Sequence, residues 1–274
     1  MGYNNYALLH TEVNAGVATV VMDNPPINLL DVPLTRELNR LSEQLFADAT
    51  VKVVVYKSAD KEFFLGHADL ELFQTHAGDN LLESLELFHD MVRRFRSWNK
   101  ITIGQIDGGR VIGGGSEFVE AMDMRFAASG KAFFSHPEVT MGVIPHKGGT
   151  FSLTRSIGRG RTLEMILSGA FISAELAQSY GYINRALVPV ALNAFVTGLA
   201  RRIAALSSVT ISNVKKLVDS AAAENFENYL EAENRLLLDG LSTQDTQERL
   251  TRFLRDVGQS REAELGIRHK VARS

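Results

Sequence analysis

The stretch GGRVIGGGSEF, residues 108–118, places three consecutive glycines directly before Ser116 and Glu117. A mostly apolar run follows, so the stretch predicts a buried helix over residues 116–122 that the glycines open. Glycines at a helix start let a ligand approach the backbone closely, and the first-turn N–H groups there point outward. Such a start stabilises an oxyanion. The same glycines are equally compatible with a helix start that packs closely against a strand.

Three other glycine-containing motifs fit the sequence less well. A dinucleotide-binding fingerprint needs a third glycine where this chain has Phe118. A phosphate-binding loop needs glycine, lysine and then serine or threonine, and HKGGT at residues 146–150 has these letters in another order. A nucleophile elbow needs glycines two residues before and after its serine, and Ser116 lacks the second one. The oxyanion-binding helix start fits better than any of the three.

The composition is that of an ordinary globular chain. Hydrophobic residues make up 45% of the 274 residues, which suits one large domain or a core with a smaller helical part. The net charge of -3 gives no general attraction to nucleic acid or anionic membranes. The absence of cysteine excludes disulfides and thiolate zinc sites. The sequence shows no signal peptide and no membrane-length apolar run, so we expect a cytoplasmic protein without nucleic-acid or membrane partners.

Hydrophobic periodicity predicts a mixed α/β region followed by helices. Residues 6–13 and 17–22 form a predicted hairpin, and residues 31–46 form an amphipathic helix with one leucine stripe. We place the division near residue 200, with a mixed core over residues 1–200 and a helical region over residues 201–274. The other predicted strands are residues 51–56, 101–106, 125–128 and 132–134, and the other predicted helices are residues 81–98, 150–157, 161–167, 174–180, 191–206, 208–223, 227–238 and 246–256.

A second motif supplies another carboxylate close to a glycine and a proline. It is SHPEVTMGVIP at residues 135–145, which contains Glu138. Together with GGGSE at residues 113–117 and GGTFSL at residues 148–153, it resembles the crotonase superfamily, the enoyl-CoA hydratase/isomerase family. The likeness extends over residues 6–200. The other matching motifs are NPPIN at residues 24–28, FFLGHADL at residues 63–70, LSGAFISA at residues 167–174 and AQSYGYIN at residues 177–184.

The resemblance implies a fold, an assembly and a substrate class. The implied fold is α/β, a crotonase-like (ClpP/crotonase) spiral of repeated ββα units with a C-terminal helical region. Residues 201–274 would serve trimerisation and cover the active site, in a homo-oligomer that is a trimer or a dimer of trimers. Family members act on acyl-CoA, so we expect a coenzyme A thioester as the substrate, with no permanently bound cofactor and no metal.

The resemblance also implies which residues contact the substrate. Family members stabilise the enolate oxygen of the thioester with two backbone N–H groups, which fall here on Ala68 and Gly114. Preorganised donors of this kind contribute about 3–4 kcal/mol each. The residues implied to line the substrate and coenzyme A path are Phe64, Gly66, His67, Ala68, Asp69, Leu70, Gly113, Gly114 and His146.

Two glutamates, Glu117 after the glycines and Glu138 in the PE motif, match the acids that hydratases of the family use. By that likeness Glu138 donates a proton to the α-carbon, and Glu117 holds and activates the attacking water. The implied reaction is hydration of 2-enoyl-CoA to 3-hydroxyacyl-CoA, in fatty acid metabolism. Alternatives are isomerisation, hydrolysis or decarboxylation of an acyl-CoA on the same scaffold, and an inactive acyl-CoA-binding member. A glutamate at a helix start also serves as a capping residue.

The sequence departs from the family pattern at two places. His67 stands where the family usually has glycine, and we expect an allowed backbone conformation with the ring beside the coenzyme A path. His146 and Lys147 replace small residues after Pro145. We expect this pair to be solvated on a surface loop. The alternative is a His146 ring that fills the place of the attacking water or titrates near neutral pH.

Overall fold

The computed structural model describes residues 2–74, 78–221, 226–256 and 258–266, and its larger sheet has six strands. The first two strands are the predicted hairpin, paired antiparallel around a turn in which Ala15 and Gly16 both have positive φ. Two-residue hairpin turns of the commonest type require this conformation. The remaining neighbours in the sheet are parallel. In spatial order the strands are β1 (Leu9–Asn14), β2 (Val17–Met22), β3 (Val53–Ser58), β5 (Ile101–Ile106), β7 (Met124–Ala128) and β10 (Arg185–Leu187).

In the described part of the chain, four short strands form a second sheet. Three of them are parallel, and each follows one strand of the larger sheet in the chain and precedes a helix. This repetition is the spiral of ββα units that the resemblance implies. The fourth strand pairs antiparallel at the edge. In spatial order these strands are β4 (Phe63–Leu65), β6 (Gly109–Ile112), β8 (Ala132–Ser135) and β9 (Ile172–Ser173).

The first helix, α1 (Val32–Ala47), matches the predicted amphipathic helix closely. It begins after Asp31, whose side chain accepts a hydrogen bond from the Leu34 N–H at 2.8 Å, as a good N-cap does. Its apolar stripe packs in the main core with residues of α3 (Asp79–Ser97). The leucines of the predicted stripe, Leu34, Leu38, Leu41 and Leu45, are all buried.

The region α5 (Gly149–Ser168) consists of two helical segments. The sequence predicts separate helices over residues 150–157 and 161–167, and the structure confirms the separation, with non-helical angles at Gly158 (φ 79°, ψ 161°). Glycine adopts this conformation without strain, which explains the interruption in the pattern. The other helices are α2 (Glu71–Gln74), α4 (Gly114–Glu120), α6 (Ala174–Tyr180), α7 (Pro189–Ala204), α8 (Ser208–Ala221), α9 (Phe226–Leu241), α10 (Gln244–Asp256) and α11 (Arg261–Gly266), and Glu138–Met141 forms a 3-10 turn.

α7 covers one face of the larger sheet. Its buried residues Leu192, Val196 and Ala200 pack in one cluster with Val53 of β3 and Ile103 of β5. Within the described ranges no single helix is long and apolar enough to cross a membrane. α7 and the adjoining helix over residues 208–219 meet that length and composition only when counted together, across a bend of 107°.

A substitution at Gly115 tests how closely α4 packs against the end of β4. A Cβ there would lie 2.3 Å from the Leu65 carbonyl oxygen and 2.8 Å from that of Gly66. Because backbone cannot yield easily, we expect Gly115→Ala to lower the free energy of unfolding by about 3 kcal/mol. The control is Gly160→Ala in α5, where nothing lies within 4 Å, and we expect it to raise stability by up to about 1 kcal/mol. Urea unfolding measures both, and wild-type stability of Gly115→Ala would contradict the packing.

Candidate active site

The start of α4 brings the two predicted oxyanion donors together. Gly113 precedes the helix with a φ of 52°, and its N–H donates to the Ser135 carbonyl of β8 at 2.9 Å. A Cβ on Gly114 would lie 3.3 Å from the Ala68 nitrogen, so these two residues adjoin through their backbones. Among the residues that the structure describes, neither the Ala68 nor the Gly114 N–H has a hydrogen-bond acceptor. Two neighbouring amides without acceptors are what an oxyanion-binding site needs.

The glycines were interpreted either as an oxyanion-binding helix start or as a helix start packed closely against a strand, and each interpretation describes part of this geometry. Gly115 packs against the Leu65 and Gly66 carbonyl groups and leaves no room for a side chain. Gly113 and Gly114 instead face functional groups, because a Cβ on Gly113 would lie 3.1 Å from Glu138 Oε1. One glycine therefore serves packing, and two leave the backbone open to the site.

A cavity of about 20 Å³ lies between these groups. Seven of the predicted site residues share this one space, namely His67, Ala68, Leu70, Gly113, Gly114, Glu138 and His146. Most of its lining is apolar. Such a lining suits a hydrocarbon acyl group beside a few fixed polar atoms, and the space, which holds about one water molecule, has to widen to admit one. The apolar wall consists of Leu70, Phe73, Met141 and Val143.

Three residues predicted along the coenzyme A path lie outside this lining. Phe64 is 1% exposed and belongs to the main hydrophobic core. Gly66 donates its N–H to the Asn28 carbonyl at 2.8 Å. The Asp69 carboxylate accepts a hydrogen bond from the Gln259 side chain at 2.9 Å. Contacts of these three residues with coenzyme A stay predictions.

Glu138 begins the 3-10 turn that follows Pro137. The turn ends at Gly142, whose φ of 77° is a left-handed conformation that glycine adopts easily. The Glu138 side chain is buried, and in the described part of the chain neither of its oxygens has a hydrogen-bond partner. Its closest charged neighbour is His136, whose Nδ1 lies 3.6 Å from Oε2. The carboxyl group therefore borders the cavity and makes no hydrogen bond to another described residue.

Glu117 is held differently, at the start of α5. Its Oε1 accepts hydrogen bonds from the Lys147 N–H at 2.6 Å and the Gly149 N–H at 3.2 Å. A Cβ on Gly149 would lie 2.6 Å from Glu117 Cγ, so only glycine allows this approach. Glu117 does not line the cavity of about 20 Å³. The carboxylate caps a helix other than its own, which adds to the capping alternative without excluding a chemical role.

The expectation that His146 and Lys147 are solvated on a surface loop is wrong. They are 3% and 2% exposed. The His146 ring packs edge-on against Phe73 with centroids 5.6 Å apart, and Lys147 Nζ lies 5.0 Å from the Phe88 ring centroid. The lysine stem passes Gly114, and its Cε would lie 3.6 Å from a Cβ there, an ordinary van der Waals distance. Burial, and then the Lys147 charge, lower the pKa of His146 well below its usual value, so its ring is neutral.

His67 is anchored by the C-terminal segment. It is not among the non-glycine residues with positive φ in the described part of the chain, as expected. Its Nδ1 lies 2.8 Å from the Ala68 carbonyl oxygen, and its Nε2 lies 2.5 Å from Glu264 Oε1 in α11. Burial opposes a charged ring, but the Glu264 carboxylate outweighs burial and raises the pKa of His67. The helix α11 therefore fixes the loop that carries the Ala68 amide.

Three residues that the sequence analysis did not single out support the predicted site. Glu264 contacts His67 across 197 positions of sequence, and no local pattern indicates such a contact. Glu120 and His136 are hydrogen-bonded at 2.7 Å, and His136 also faces Glu138. A glutamate inside an apolar helical run is a signal that could have found Glu120, because a buried carboxylate needs a partner.

A family model, solved structures and a curated relative all show similarity to one protein family. The family described as enoyl-CoA hydratase/isomerase matches residues 12–258. The structure of a candidate enoyl-CoA hydratase from Streptomyces avermitilis superposes with a TM-score of 0.86 at 35% identity, covering 98% of this chain and 100% of that one. For the enoyl-CoA hydratase from Bacillus halodurans the TM-score is 0.83 at 25% identity, covering 90% and 100%. The mitochondrial enoyl-CoA hydratase of Pongo abelii is 29% identical over 243 residues, which are 88% of this chain and 82% of that protein.

The chain belongs to the enoyl-CoA hydratase/isomerase family, within the crotonase superfamily. Its α/β structure, with parallel strands in two sheets and helices between them, is the crotonase fold. Membership makes the protein an enzyme of the hydratase or isomerase type, and enzymes of this family use coenzyme A thioester substrates.

The His67–Glu264 pair links stability to pH. We expect Glu264→Gln, which keeps only a neutral hydrogen bond, to lower the free energy of unfolding by about 1.5–3 kcal/mol at about pH 6. Because the folded-state pKa of His67 is raised, this contribution is complete below the unfolded value of about 6.5 and is lost as pH rises through the raised value. Urea unfolding at a series of pH values measures the difference. The control is Glu262→Gln, at an exposed position of α11. If the loss of unfolding free energy in Glu264→Gln does not vary with pH, stability is not linked to the protonation of His67.

Proposed function

We propose that the protein hydrates 2-enoyl-CoA to 3-hydroxyacyl-CoA. The observation that carries the proposal is one shared cavity, bordered by Ala68, Gly114 and Glu138. A thioester carbonyl oxygen between the two backbone N–H groups gains negative charge when a nucleophile adds to the conjugated alkene. Fixed amides in an apolar cavity stabilise that charge without having to reorganise. Family membership supports coenzyme A thioesters as the substrate class.

In the proposed reaction the water oxygen bonds to Cβ, and the electron pair of the alkene moves toward the thioester oxygen. Glu117 takes one proton from the water, and Glu138 donates a proton to Cα as the enolate collapses. One O–H bond and the C=C π bond break, and one C–O bond and one C–H bond form. The proton on Glu117 then returns to Glu138, so no net proton is consumed.

The surroundings of the two carboxyl groups support this division of roles. Glu117 Oε1 is fixed by the amides of Lys147 and Gly149, so the group is oriented before water binds. Glu138 borders the cavity, and within the described ranges neither of its oxygens is hydrogen-bonded, with His136 Nδ1 3.6 Å from Oε2. An oriented base and an unencumbered proton donor are what addition across a double bond requires.

A second candidate is isomerisation of 3-enoyl-CoA to the conjugated 2-enoyl-CoA. One observation favours it: Glu138 borders the cavity, whereas Glu117 is bonded to the start of α5 and does not line it. A single carboxylate is sufficient to move a proton from Cα to Cγ through the same stabilised enolate. Hydrolysis, decarboxylation and binding without turnover have no specific observation in their favour.

Replacing each glutamate tests the proposed roles. We expect Glu117→Gln and Glu138→Gln to lower kcat for crotonyl-CoA by about 10²–10⁴-fold, because each variant loses a proton-transfer group. Glu86→Gln, an exposed position of α3, is the control and should keep full activity. Loss of the conjugated-enoyl absorbance follows hydration, and its appearance from a 3-enoyl-CoA follows isomerisation. Undiminished hydration by Glu138→Gln would refute the assigned role, and no turnover of either substrate would refute the function.

We also propose that the chain forms a trimer or a dimer of trimers, with α8 in the subunit contact. Contiguous exposed apolar side chains on one helix are typical of a protein–protein interface. The helical region over residues 201–274 would supply this contact. Among the described side chains of α8, the large apolar ones that are more than half exposed are Val209, Val214, Leu217 and Val218.

The same helical region is proposed to cover the active site. Leu237 of α9 and Leu250 of α10 are buried in one cluster with Phe73 and Met141, which wall the cavity. The Thr246 hydroxyl of α10 donates to the carbonyl oxygen of Gly142 at 2.9 Å, at the end of the turn that Glu138 begins. These contacts support a cover that excludes water from the acyl group.

A charge placed on α8 tests the proposed assembly. Leu217 is 69% exposed, so Leu217→Glu should leave the fold of a subunit intact while it prevents apolar association. We expect light scattering on a sizing column to give a trimer or hexamer mass for the wild type and a smaller mass for the variant. Val190→Glu, at a 93% exposed position of α7, is the control. An unchanged mass for Leu217→Glu would exclude α8 from the interface.

A further inference from the structure

Glu138 is the end member of a buried chain of three side chains. Glu120, in the last turn of α4, and His136, just after β8, are joined between Oε1 and Nε2 at 2.7 Å. The other ring nitrogen of His136 lies 3.6 Å from Glu138 Oε2. The His136 side chain is 0% exposed, and those of Glu120 and Glu138 are 3% and 8% exposed. We refer to these residues as the Glu120–His136–Glu138 chain.

The charge balance of this chain is set by its two carboxylates. Burial by itself would lower the pKa of His136, but the Glu120 and Glu138 carboxylates outweigh burial and raise it well above the ordinary value. A doubly protonated ring donates from Nε2 to one carboxylate and directs the Nδ1 proton to the other. The imidazole therefore carries its positive charge between two acidic groups.

The other titratable side chains near the Glu120–His136–Glu138 chain do not change its charge balance. Burial, and then the Glu120 charge, raise the pKa of Tyr182 well above its usual range, so the phenol stays neutral. Arg125 lies within electrostatic range of Glu120 but donates to three backbone carbonyl oxygens. Glu117 approaches Glu120 beside Gly149, and its Oε1 is engaged by the amides at the start of α5. His136 is thus the cation that both ends of the chain share.

We propose that Glu120 and His136 are positioning residues that fix the orientation and the charge of Glu138 during turnover. Glu120 holds the imidazole ring, and the ring attracts Oε2 of Glu138, which leaves Oε1 beside Gly113 at the cavity. The proton on His136 does not move, and no covalent bond changes in the chain. While Glu138 carries the proton that it gives to Cα, Glu120 alone balances the imidazolium, and after the transfer the imidazolium also stabilises the Glu138 carboxylate that is left. The inference rests on the proposed function and deepens the role of Glu138 in it.

Nuclear magnetic resonance of ¹⁵N-labelled histidine side chains tests the charge without any substrate. We expect both ring nitrogens of His136 to carry protons at about pH 8, where an ordinary histidine is neutral. In Glu120→Gln we expect the ring to be neutral at that pH. Loss of the signal in His136→Gln assigns the resonance. A wild-type His136 with a single ring proton at about pH 8 would overturn the proposal.

Kinetics distinguish positioning from a purely structural role. We expect His136→Gln and Glu120→Gln to lower kcat by about 10- to 100-fold with KM changed less than about threefold, because binding groups are untouched while Glu138 is misplaced. Glu120→Asp, which keeps the charge, should retain more activity than Glu120→Gln. His10→Gln, at an exposed position of β1, is the histidine control and should leave kcat unchanged. Calorimetry with acetoacetyl-CoA shows whether each variant retains an intact binding site.

The outcomes separate this inference from the proposed function. A folded His136→Gln protein with wild-type kcat would overturn the positioning role. If His136→Gln does not fold, the comparison of Glu120→Asp with Glu120→Gln and the wild-type resonance decide the question. If the wild type turns over neither 2-enoyl-CoA nor 3-enoyl-CoA, the proposed function fails, and the protonation of His136 still decides whether the chain holds the proposed charge.

Discussion

The site depends on a stretch of backbone without side chains at residues 113–115. Gly115 lets α4 begin against the carbonyl groups at the end of β4, closer than any Cβ would allow. Gly113 and Gly114 leave the backbone open on the opposite side, toward Glu138 and the Ala68 amide. The geometry of the cavity follows from this close approach, because a larger residue at either place would push the helix away from the loop that carries the second donor.

Burying several carboxyl groups near one cavity requires compensation, and the chain provides it in two ways. Glu117 is satisfied by backbone amides at the start of α5, where glycine at position 149 permits the contact. Glu120 and Glu138 share the positive charge of His136. A buried charge without a partner is strongly destabilising, so these arrangements also stabilise the fold around the site. The two proposed acids therefore have different surroundings, which is how enzymes assign different roles to chemically equal groups.

Long elements could be predicted from the sequence because their periodicity is clear. The helix predicted over residues 31–46 is Val32–Ala47, and the strand predicted over residues 101–106 is Ile101–Ile106. Two short strands were predicted, over residues 125–128 and 132–134, but β4, β6, β9 and β10 were not, because a stretch of two to four residues shows alternation only weakly. They matter nevertheless, since β4 ends at the loop of Ala68 and β6 leads into the glycines.

For the site, the matching motifs predicted which residues would come together, and seven of them share the cavity. The burial of His146 and Lys147 could not be predicted, because lysine is almost never fully buried and the packing against Phe73 and Phe88 is visible only in three dimensions. The Glu264 contact joins residues far apart in the chain and depends on where α11 returns to the core. The periodicity of residue types predicts helices and strands. It does not predict which two polar side chains, far apart in the chain, will pair in the folded structure.

The central claim is that the backbone amides of Ala68 and Gly114 together bind the carbonyl oxygen of a coenzyme A thioester. A crystal structure of the complex with acetoacetyl-CoA tests it most directly. We predict that the thioester oxygen lies about 2.7–3.1 Å from both nitrogens, with the acyl carbons against the wall formed by Phe73 and Met141. A thioester bound with its oxygen directed away from both amides would contradict the account.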